Sequence, residues 1–368
     1  MNTRTPYFAT ILSLLLAGQA LAAPPGFDVS TVTPATPFRG ASALAYAADG
    51  TLYISEAVDF STGPNTTSIR VFAPDGTEQT ALSITGDVPN ISIGGMAVDL
   101  SGNLLVTDNQ ANTLYSVNTT TGAKTTFAFT LADIDDVAVR PGTGEIFVSD
   151  APFAAGGGAV YQVGGPADTS PTPVVTGLDF AAGLDFDSNG DLIYQNAILD
   201  LSTFTTTGEV HRLEVTETGS GLTFGPSTLL ADNLIAAFDL AVDGEDDIFV
   251  TGGDFSAVGG LFQLDRDAAG NFLGTASLFE ASTGDPANFG AFATEVDFLA
   301  GGPFAPDAGP GGILSFIAEF DAPAVTGITP SGSAVVPEPS SLLCAIICFG
   351  FAIAGYRLTQ RQQQRVGK

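Results

Sequence analysis

Short apolar segments alternate with polar turns along most of this chain, always in the same order. Each unit has an apolar run, a turn with Asp, Gly or Asn, a second apolar run, and usually a Ser or Thr followed by an acid. The runs are too short for helices and rich in Val, Ile, Phe and Tyr, which is typical of β-strands. Five units and a degenerate sixth show the pattern: Leu44–Glu56, Met96–Asp108, Val137–Asp150, Leu184–Tyr194, Leu240–Thr251 and Val296–Ile317.

The spacing of the turn glycines gives the length of one unit. Gly50, Gly102, Gly144, Gly190 and Gly244 lie 52, 42, 46 and 54 residues apart. Four short strands and their turns, one propeller blade, have this length. We therefore predict an all-β fold, a six-bladed β-propeller over residues 23–330, with a strand from residues 27–38 completing the last blade. Closing the ring leaves no open sheet edge. A β-sandwich, the alternative, does not account for a repeat of this length.

The stretch from Gly95 to Val117 carries a family likeness. Its segments Ala97-Val98-Asp99, Gly102-Asn103-Leu104 and Asp108 to Asn112 follow the NHL pattern. The chain as a whole resembles the NHL-repeat and SMP-30/gluconolactonase class of six-bladed propellers. The resemblance implies a possible hydrolase site, because SMP-30-like hydrolases hold a metal with acids and Asn at one channel mouth. Their first ligand is a Glu before the first inner strand, where this chain has Arg39-Gly40-Ala41.

The residues that open the predicted inner strands suggest one cation site. In chain order they are Ala43, Gly95, Asp136, Gly183, Asp239 and Glu295. Such positions converge near a propeller axis, and three carboxylates there would repel one another unless a cation, protons or water intervened. Asp136, Asp239 and Glu295 are therefore candidate Ca²⁺ ligands. The alternative is that they point into solvent at an open mouth.

A second candidate lies in one turn. Asp185, Asp187, Asn189 and Asp191 alternate around Gly190 and resemble the first half of a calcium loop. The twelfth position is Asn196 and not the bidentate Glu of such loops. Asp187 and Gly190 also match the repeat positions Asp99 and Gly102, so a hydrogen-bonded β-turn accounts for them without a metal.

Composition limits the chemistry further. The formal net charge is −29 and the chain has one histidine, His211, and no Trp. The acidic surface repels nucleic acid, so no nucleic-acid partner is expected. His211 in a strand-like run is interpreted as a surface or edge residue. Both cysteines, Cys344 and Cys348, lie near the C-terminus, so the exterior domain has no disulfide.

The two ends are predicted to be targeting segments. Residues 1–22 have a basic start, an apolar stretch and Ala20-Leu21-Ala22, as in a secretory signal peptide. Residues 331–341 form a linker with the motif Val336, Pro337, Glu338 and Pro339. An apolar segment at 342–356, predicted to be a single transmembrane or sorting helix, and a basic cytoplasmic tail at 357–368 follow. This order resembles the PEP-CTERM signal that exosortase recognises; an ordinary membrane anchor is the alternative.

Together these features predict an exported protein of the cell surface or extracellular matrix, anchored transiently in the membrane through its C-terminal helix. The expected partners are an exosortase-type processing enzyme and a matrix polysaccharide or protein. We expect a non-catalytic binding role. The alternative is a metal-dependent hydrolase of the SMP-30/gluconolactonase class, with Asp136, Asp239 and Glu295 as ligands.

Overall fold

The computed structural model describes residues 27–32, 36, 38–57, 63, 65–152, 154–200, 205–235, 237–253, 259–282, 294, 296–299, 312–317 and 325–330. Across these ranges the chain forms β-strands and no helix. Both predicted targeting ends, the motif at residues 336–339 and Glu295 lie outside the described residues.

The described strands form six four-stranded antiparallel units, which confirms the predicted propeller. Blade 1 contains β2 (Ala41–Tyr46), β3 (Leu52–Glu56), β4 (Thr66–Phe72) and β5 (Leu82–Thr85). Blade 2 contains β6 (Ile93–Val98), β7 (Asn103–Asp108), β8 (Thr113–Asn118) and β9 (Lys124–Thr126). Blade 3 contains β10 (Ile134–Val139), β11 (Ile146–Asp150), β12 (Gly158–Val163) and β13 (Thr172–Leu178).

The second half of the ring has longer strands. Blade 4 contains β14 (Leu184–Phe186), β15 (Leu192–Asp200), β16 (Thr205–Thr218) and β17 (Gly221–Ile235). Blade 5 contains β18 (Ala237–Val242), β19 (Ile248–Gly252), β20 (Gly260–Arg266) and β21 (Phe272–Ala281). A parallel pair, Ala231 with Gly274, joins their outer strands into one eight-stranded sheet. The sequence pattern did not predict this junction.

Blade 6 closes the ring with strands from both ends of the domain. It contains β22 (Val296–Leu299), β23 (Ile313–Phe316), β24 (Val325–Pro330) and the first strand, β1 (Phe27–Val32). β1 pairs with β24 from Phe27–Pro330 to Val32–Val325. The predicted closing strand is therefore correct, although it ends at Val32. The inner strands β2, β6, β10, β14, β18 and β22 contact one another in sequence, and β22 contacts β2.

Among the described residues, the hydrophobic core consists of six clusters, one between each pair of neighbouring blades. Blades 1 and 2, for example, share a cluster that includes Ile69 and Leu104, both fully buried. Blades 6 and 1 share another, in which Ile317 and Val325 pack with Ile54. Burial of apolar surface contributes about 25 cal/mol per Å². Because each blade shares its core with two neighbours, the blades stabilise one another.

The repeated polar residues of the sequence fix the inner strands. The Ser or Thr next to the end of the second strand accepts an inner-strand N–H: Ser55 Oγ lies 2.8 Å from Ala43 N, and Thr107 Oγ1 lies 2.7 Å from Gly95 N. The acid that follows accepts backbone N–H groups of the preceding loop, as Asp150 does from Asp133 at 2.6 Å. These residues are therefore structural members of the repeat.

The turn between the first two strands needs a positive φ at one position. Gly102 and Gly190 have φ values of 79° and 76°, a region where glycine carries no steric cost. In the fifth unit Asp246, with φ 63°, and not Gly244 takes this position. The prediction that Gly244 is the turn residue of the fifth unit was therefore wrong by two residues.

The closing strand pair predicts a sharp truncation boundary. A chain ending at Pro330 retains every described strand and should unfold in one cooperative transition. A chain ending at Ile317 lacks β24, which leaves β1 and β23 without their shared partner and should abolish that transition. Urea unfolding followed by circular dichroism tests both chains. Independent modules would instead leave the shorter chain with a transition at the same urea concentration.

Candidate functional site

Four carboxylates, one of them buried (Asp239) and three half-buried, lie along the axis, where the inner strands of the blades meet. Asp136, Asp185, Asp239 and Asp297 line a central cavity of about 170 Å³. Asp136 and Asp239 occupy the position aligned in the sequence, whereas Asp185 and Asp297 lie two residues later in their own strands. The channel therefore contains two levels of acids taken from alternating blades.

All four carboxylates make the same two hydrogen bonds. One oxygen accepts the N–H of the following residue, and the other accepts an N–H from the inner strand of the next blade. The bonds between blades are Asp136 to Leu184 N at 2.8 Å, Asp185 to Val242 N at 2.6 Å, Asp239 to Val296 N at 2.8 Å and Asp297 to Tyr46 N at 2.6 Å. The last bond joins blade 6 to blade 1. These carboxylates therefore tie successive inner strands together from blade 3 round to blade 1.

Glycines in the preceding blades leave room for two of these acids. A β-carbon at Gly183 would lie 2.7 Å from Asp239 Oδ1, and one at Gly95 would overlap the carboxylate of Asp136. This explains why the aligned position holds Gly in blades 2 and 4, which come directly before the blades that hold Asp136 and Asp239. The pattern reflects packing between neighbouring blades.

Burial governs the charge of these acids. It raises the pKa of Asp185 to about 7 and that of Asp297 to about 6, against the stabilising effect of the backbone N–H groups. Burial also raises the pKa of Asp136 and Asp239 well above the usual range, and the charge of Asp136 adds to the effect on Asp239. Part of this cluster is therefore protonated at neutral pH.

The structure brings two of the three predicted axial ligands to the same channel. Asp136 and Asp239 meet there, but each uses both oxygens as acceptors for backbone N–H groups. Glu295 lies outside the described residues. Among the side chains that the structure describes, no group of three or more His, Cys, Asp or Glu residues could hold a metal. The two described acids alone do not make up the metal site that the resemblance implies, and the three-carboxylate cation site, which includes Glu295, stays a prediction.

The residues of the predicted calcium loop lie in different environments. Asp185 faces the channel, whereas Asp187 Oδ1 accepts the N–H groups of Asn189 and Asp191 at 3.0 and 2.9 Å. Asp191 Oδ1 in turn accepts Val215 N at 2.9 Å. Asp99 makes the same turn contacts in blade 2. The hydrogen-bonded turn therefore accounts for Asp187 and Asp191, and nothing tests whether calcium binds there.

One mouth of the channel has a larger cavity, of about 430 Å³, which we call the mouth cavity. The residue before each aligned position lines it in five of the six blades. β-Bulges in the inner strands, such as that between Ile134 and Val137, interrupt the alternation and turn these side chains toward the mouth. Loop residues complete the wall. Its main side chains are Ser42, Asn90, Asn109, Asp135, Phe180, Phe238 and Thr294.

Asp135 is the chemically distinctive group of the mouth cavity. Asn109 Nδ2 donates to its Oδ1 at 3.2 Å, and the Thr107 hydroxyl donates to its backbone carbonyl. Burial raises the pKa of Asp135 to about 7; the hydrogen bond from Asn109 opposes this rise and the charge of Asp133 adds to it. The other lining acid, Glu56, forms an ion pair with Arg70 at 3.2 Å. Asp135 is thus a carboxyl group that titrates near neutral pH and accepts a hydrogen bond from a neutral amide.

Sequence reasoning missed Asp135 by one residue. Strict alternation predicts that only one of Asp135 and Asp136 faces the axis. The bulge lets Asp136 face the channel while Asp135 faces the mouth. The adjacent pair of acids at a strand start is the signal that was available in the sequence.

No family model and no curated protein matches this sequence. Solved structures do match its fold. A gluconolactonase from Xanthomonas campestris is 16% identical, with 84% of this chain and 92% of that chain covered and a TM-score of 0.54. A calcium-binding protein, regucalcin, from Agrobacterium tumefaciens is 14% identical, covering 86% and 100%, with a TM-score of 0.53. A luciferin-regenerating enzyme is 13% identical, covering 83% and 96%, with a TM-score of 0.53. At these identities the likeness establishes the gluconolactonase-like propeller fold.

The raised pKa values of the channel acids predict an unusual pH dependence of stability. Asp185 and Asp297 hold protons in the folded state that the unfolded chain releases near pH 4. Their contribution is full below about pH 4 and is lost as the pH rises through about 6 to 7, on the order of a few kcal/mol. The urea midpoint should therefore be higher at pH 5 than at pH 8.

A variant separates this contribution from the general repulsion of the acidic chain. Asp297→Asn should lower the midpoint at pH 5, since an amide nitrogen cannot accept an N–H, and should also reduce its pH dependence. Measurements at constant ionic strength are needed because salt screens surface charges. An unchanged pH dependence in the variant would mean that Asp297 does not titrate in this range.

Proposed function

We propose that the mouth cavity is the active site of a hydrolase for a small cyclic ester of the lactone class, with Asp135 as its general base. The observation that carries the proposal is the position of Asp135 on the wall of a 430 Å³ cavity with a pKa of about 7. A general base is most effective when its pKa lies near the working pH. The gluconolactonase of similar fold supports the choice of reaction.

The proposed step uses residues of this chain and water. Asp135 accepts a proton from a water molecule as the water oxygen bonds to the lactone carbonyl carbon. The bond between this carbon and the ring oxygen then breaks, and the ring oxygen takes the proton from Asp135. The product is an open-chain hydroxy acid. Asn109, whose Nδ2 lies 3.2 Å from Asp135 Oδ1, orients the carboxylate for this transfer.

The base role predicts both the rate and its pH dependence. Asp135 acts as the carboxylate, so kcat/KM should rise with pH through about 7 and then level off. Asp135→Asn should reduce kcat/KM by about 10²- to 10⁴-fold, the usual contribution of a general base. Hydrolysis of a panel of lactones, followed by pH-stat titration with and without added divalent cations, measures both effects.

Asp133→Asn is the matched control. Asp133 lies two residues away and also has a raised pKa, but it does not line the mouth cavity. This variant should retain the rate at high pH and shift the pH profile of Asp135 to lower pH, because one repulsive charge is gone. Equal losses in both variants would count against Asp135 as the base. Tight lactone binding without turnover would instead favour the non-catalytic binding role.

We also propose, from the sequence, that the protein is exported and sorted to the cell surface or matrix by an exosortase-type enzyme. In the part of the chain that the structure describes, no helix is long and apolar enough to cross a membrane. The segment at 342–356 lies outside that part. Support comes from the order of the Pro337-Glu338-Pro339 motif, the apolar segment and the basic tail.

Sorting predicts that both ends are absent from the mature protein. Mass spectrometry of surface material from the native host should give an N-terminus near Ala23 and a C-terminus near Pro337-Glu338-Pro339. Glu338→Ala should leave a longer, membrane-held form. An intact Lys368 on the native surface protein would overturn this proposal.

A further inference from the structure

The wall of the mouth cavity differs in chemistry from one side to the other. Blades 4 and 5 contribute aromatic rings: Phe238 lies at the start of β18, and Phe180 lies in the loop before β14. Blades 6, 1 and 2 contribute hydroxyl and amide groups, from Thr294, Ser42 and Asn90, together with the aliphatic side chains of Ala41, Ala57, Ile91 and Ile93. Asp135 of blade 3 stands between the two sides. A ligand that fills the cavity therefore meets an aromatic wall on one side and a wall of mixed polar and aliphatic groups on the other.

Blade 4 holds Phe180, one of the two rings of the aromatic wall, in place through one side-chain and one backbone hydrogen bond. Phe180 N donates to Asn196 Oδ1 at 3.3 Å, and Phe180 O accepts Ala197 N at 2.9 Å. Both phenyl rings are only partly buried while lining the cavity. Covering such rings with an apolar group of a ligand stabilises the complex, because apolar surface leaves water.

The charges around the cavity disfavour anions. Its described lining contains Asp135 and no Lys or Arg, and its other acid, Glu56, is paired with Arg70. The whole chain has a formal charge of −29, which lowers the local concentration of anionic ligands. A phosphorylated or carboxylated substrate would also lie close to Asp135 once that carboxyl is ionised.

We infer that the substrate is an uncharged lactone carrying an alkyl or acyl chain, with the chain against Phe180 and Phe238 and the ester beside Asp135. This inference rests on the proposed hydrolase function for the position of the ester. It makes Phe180 and Phe238 the residues that determine specificity. A highly hydroxylated sugar lactone would bury less apolar surface against the two phenyl rings than an alkyl chain does, and would gain less from them.

Binding of lactams, which resist hydrolysis, tests the specificity apart from the reaction. Calorimetry would compare an unsubstituted six-membered lactam with butyl- and hexyl-substituted forms and with one ending in a carboxylate. Affinity should rise by about fourfold for each methylene group buried, the equivalent of ~0.8 kcal/mol. The carboxylate form should bind more weakly than the alkyl form of the same length.

Three variants test where the alkyl chain of the ligand binds. Phe238→Ala should remove most of the gain from the alkyl chain, whereas Phe238→Leu, which keeps an apolar side chain, should retain most of it. Leu278→Ala, at a 52% exposed residue of the outer strand β21 and outside the cavity lining, should leave the gain unchanged. Thermal unfolding of each variant shows that it is folded.

The outcomes separate the two proposals. An alkyl series with constant affinity, or a gain unaffected by Phe238→Ala, overturns the substrate class even if lactones are hydrolysed. Tighter binding of alkyl lactams with no hydrolysis of the matching lactones overturns the hydrolase function and leaves the ligand class standing. Stronger binding of the carboxylate lactam would contradict the charge argument directly.

Discussion

The fold depends on how the innermost strand of each blade satisfies the backbone groups on its free edge. Among the strands that the structure describes, none pairs with these on the channel side, and buried N–H groups without acceptors are costly. The chain supplies acceptors from side chains. Asp136, Asp185, Asp239 and Asp297 each accept an N–H of the next inner strand. Ser55 and Thr107 accept N–H groups within blades 1 and 2, where the aligned positions hold Ala and Gly.

The use of aspartates as acceptors places carboxylate groups in a part of the channel that is poorly hydrated. Carboxylates accept two N–H bonds each, but burial and mutual repulsion oppose their ionisation. The same circumstances give Asp135, at the mouth, a pKa near neutral. A residue suited to proton transfer thus lies next to residues that hold the ring together. The bulge in β10 serves both proton transfer and the ring of hydrogen bonds. It turns Asp135 toward the mouth cavity and Asp136 toward the channel.

Much of the fold could be predicted from the sequence, because strand alternation and turn chemistry are local. The unit length, the closing strand and the degenerate sixth blade at Val296–Ile317 all follow from such signals. The bulges interrupt the alternation that the sequence pattern assumes, so alternation placed Asp136 correctly and missed Asp135. The axial alignment found acids that share a channel, but it could not show that Leu184 and Val296 supply their hydrogen bonds. The union of blades 4 and 5 through Ala231 and Gly274 is likewise a long-range contact.

The pairing of β1 with β24 also determines how the domain responds to force. Phe27, the first residue of β1, lies opposite Pro330, the last residue of β24, so both ends leave the same edge of blade 6. In an antiparallel pair loaded from this end, the hydrogen bonds open one after another instead of sharing the load. A pull between the two ends would therefore peel blade 6 apart from Phe27 onward at low force. A force applied between one end of the domain and the other blades would instead have to shear a whole strand from its sheet. A tether at the C-terminal end alone is thus mechanically safer for this propeller than attachment at both ends.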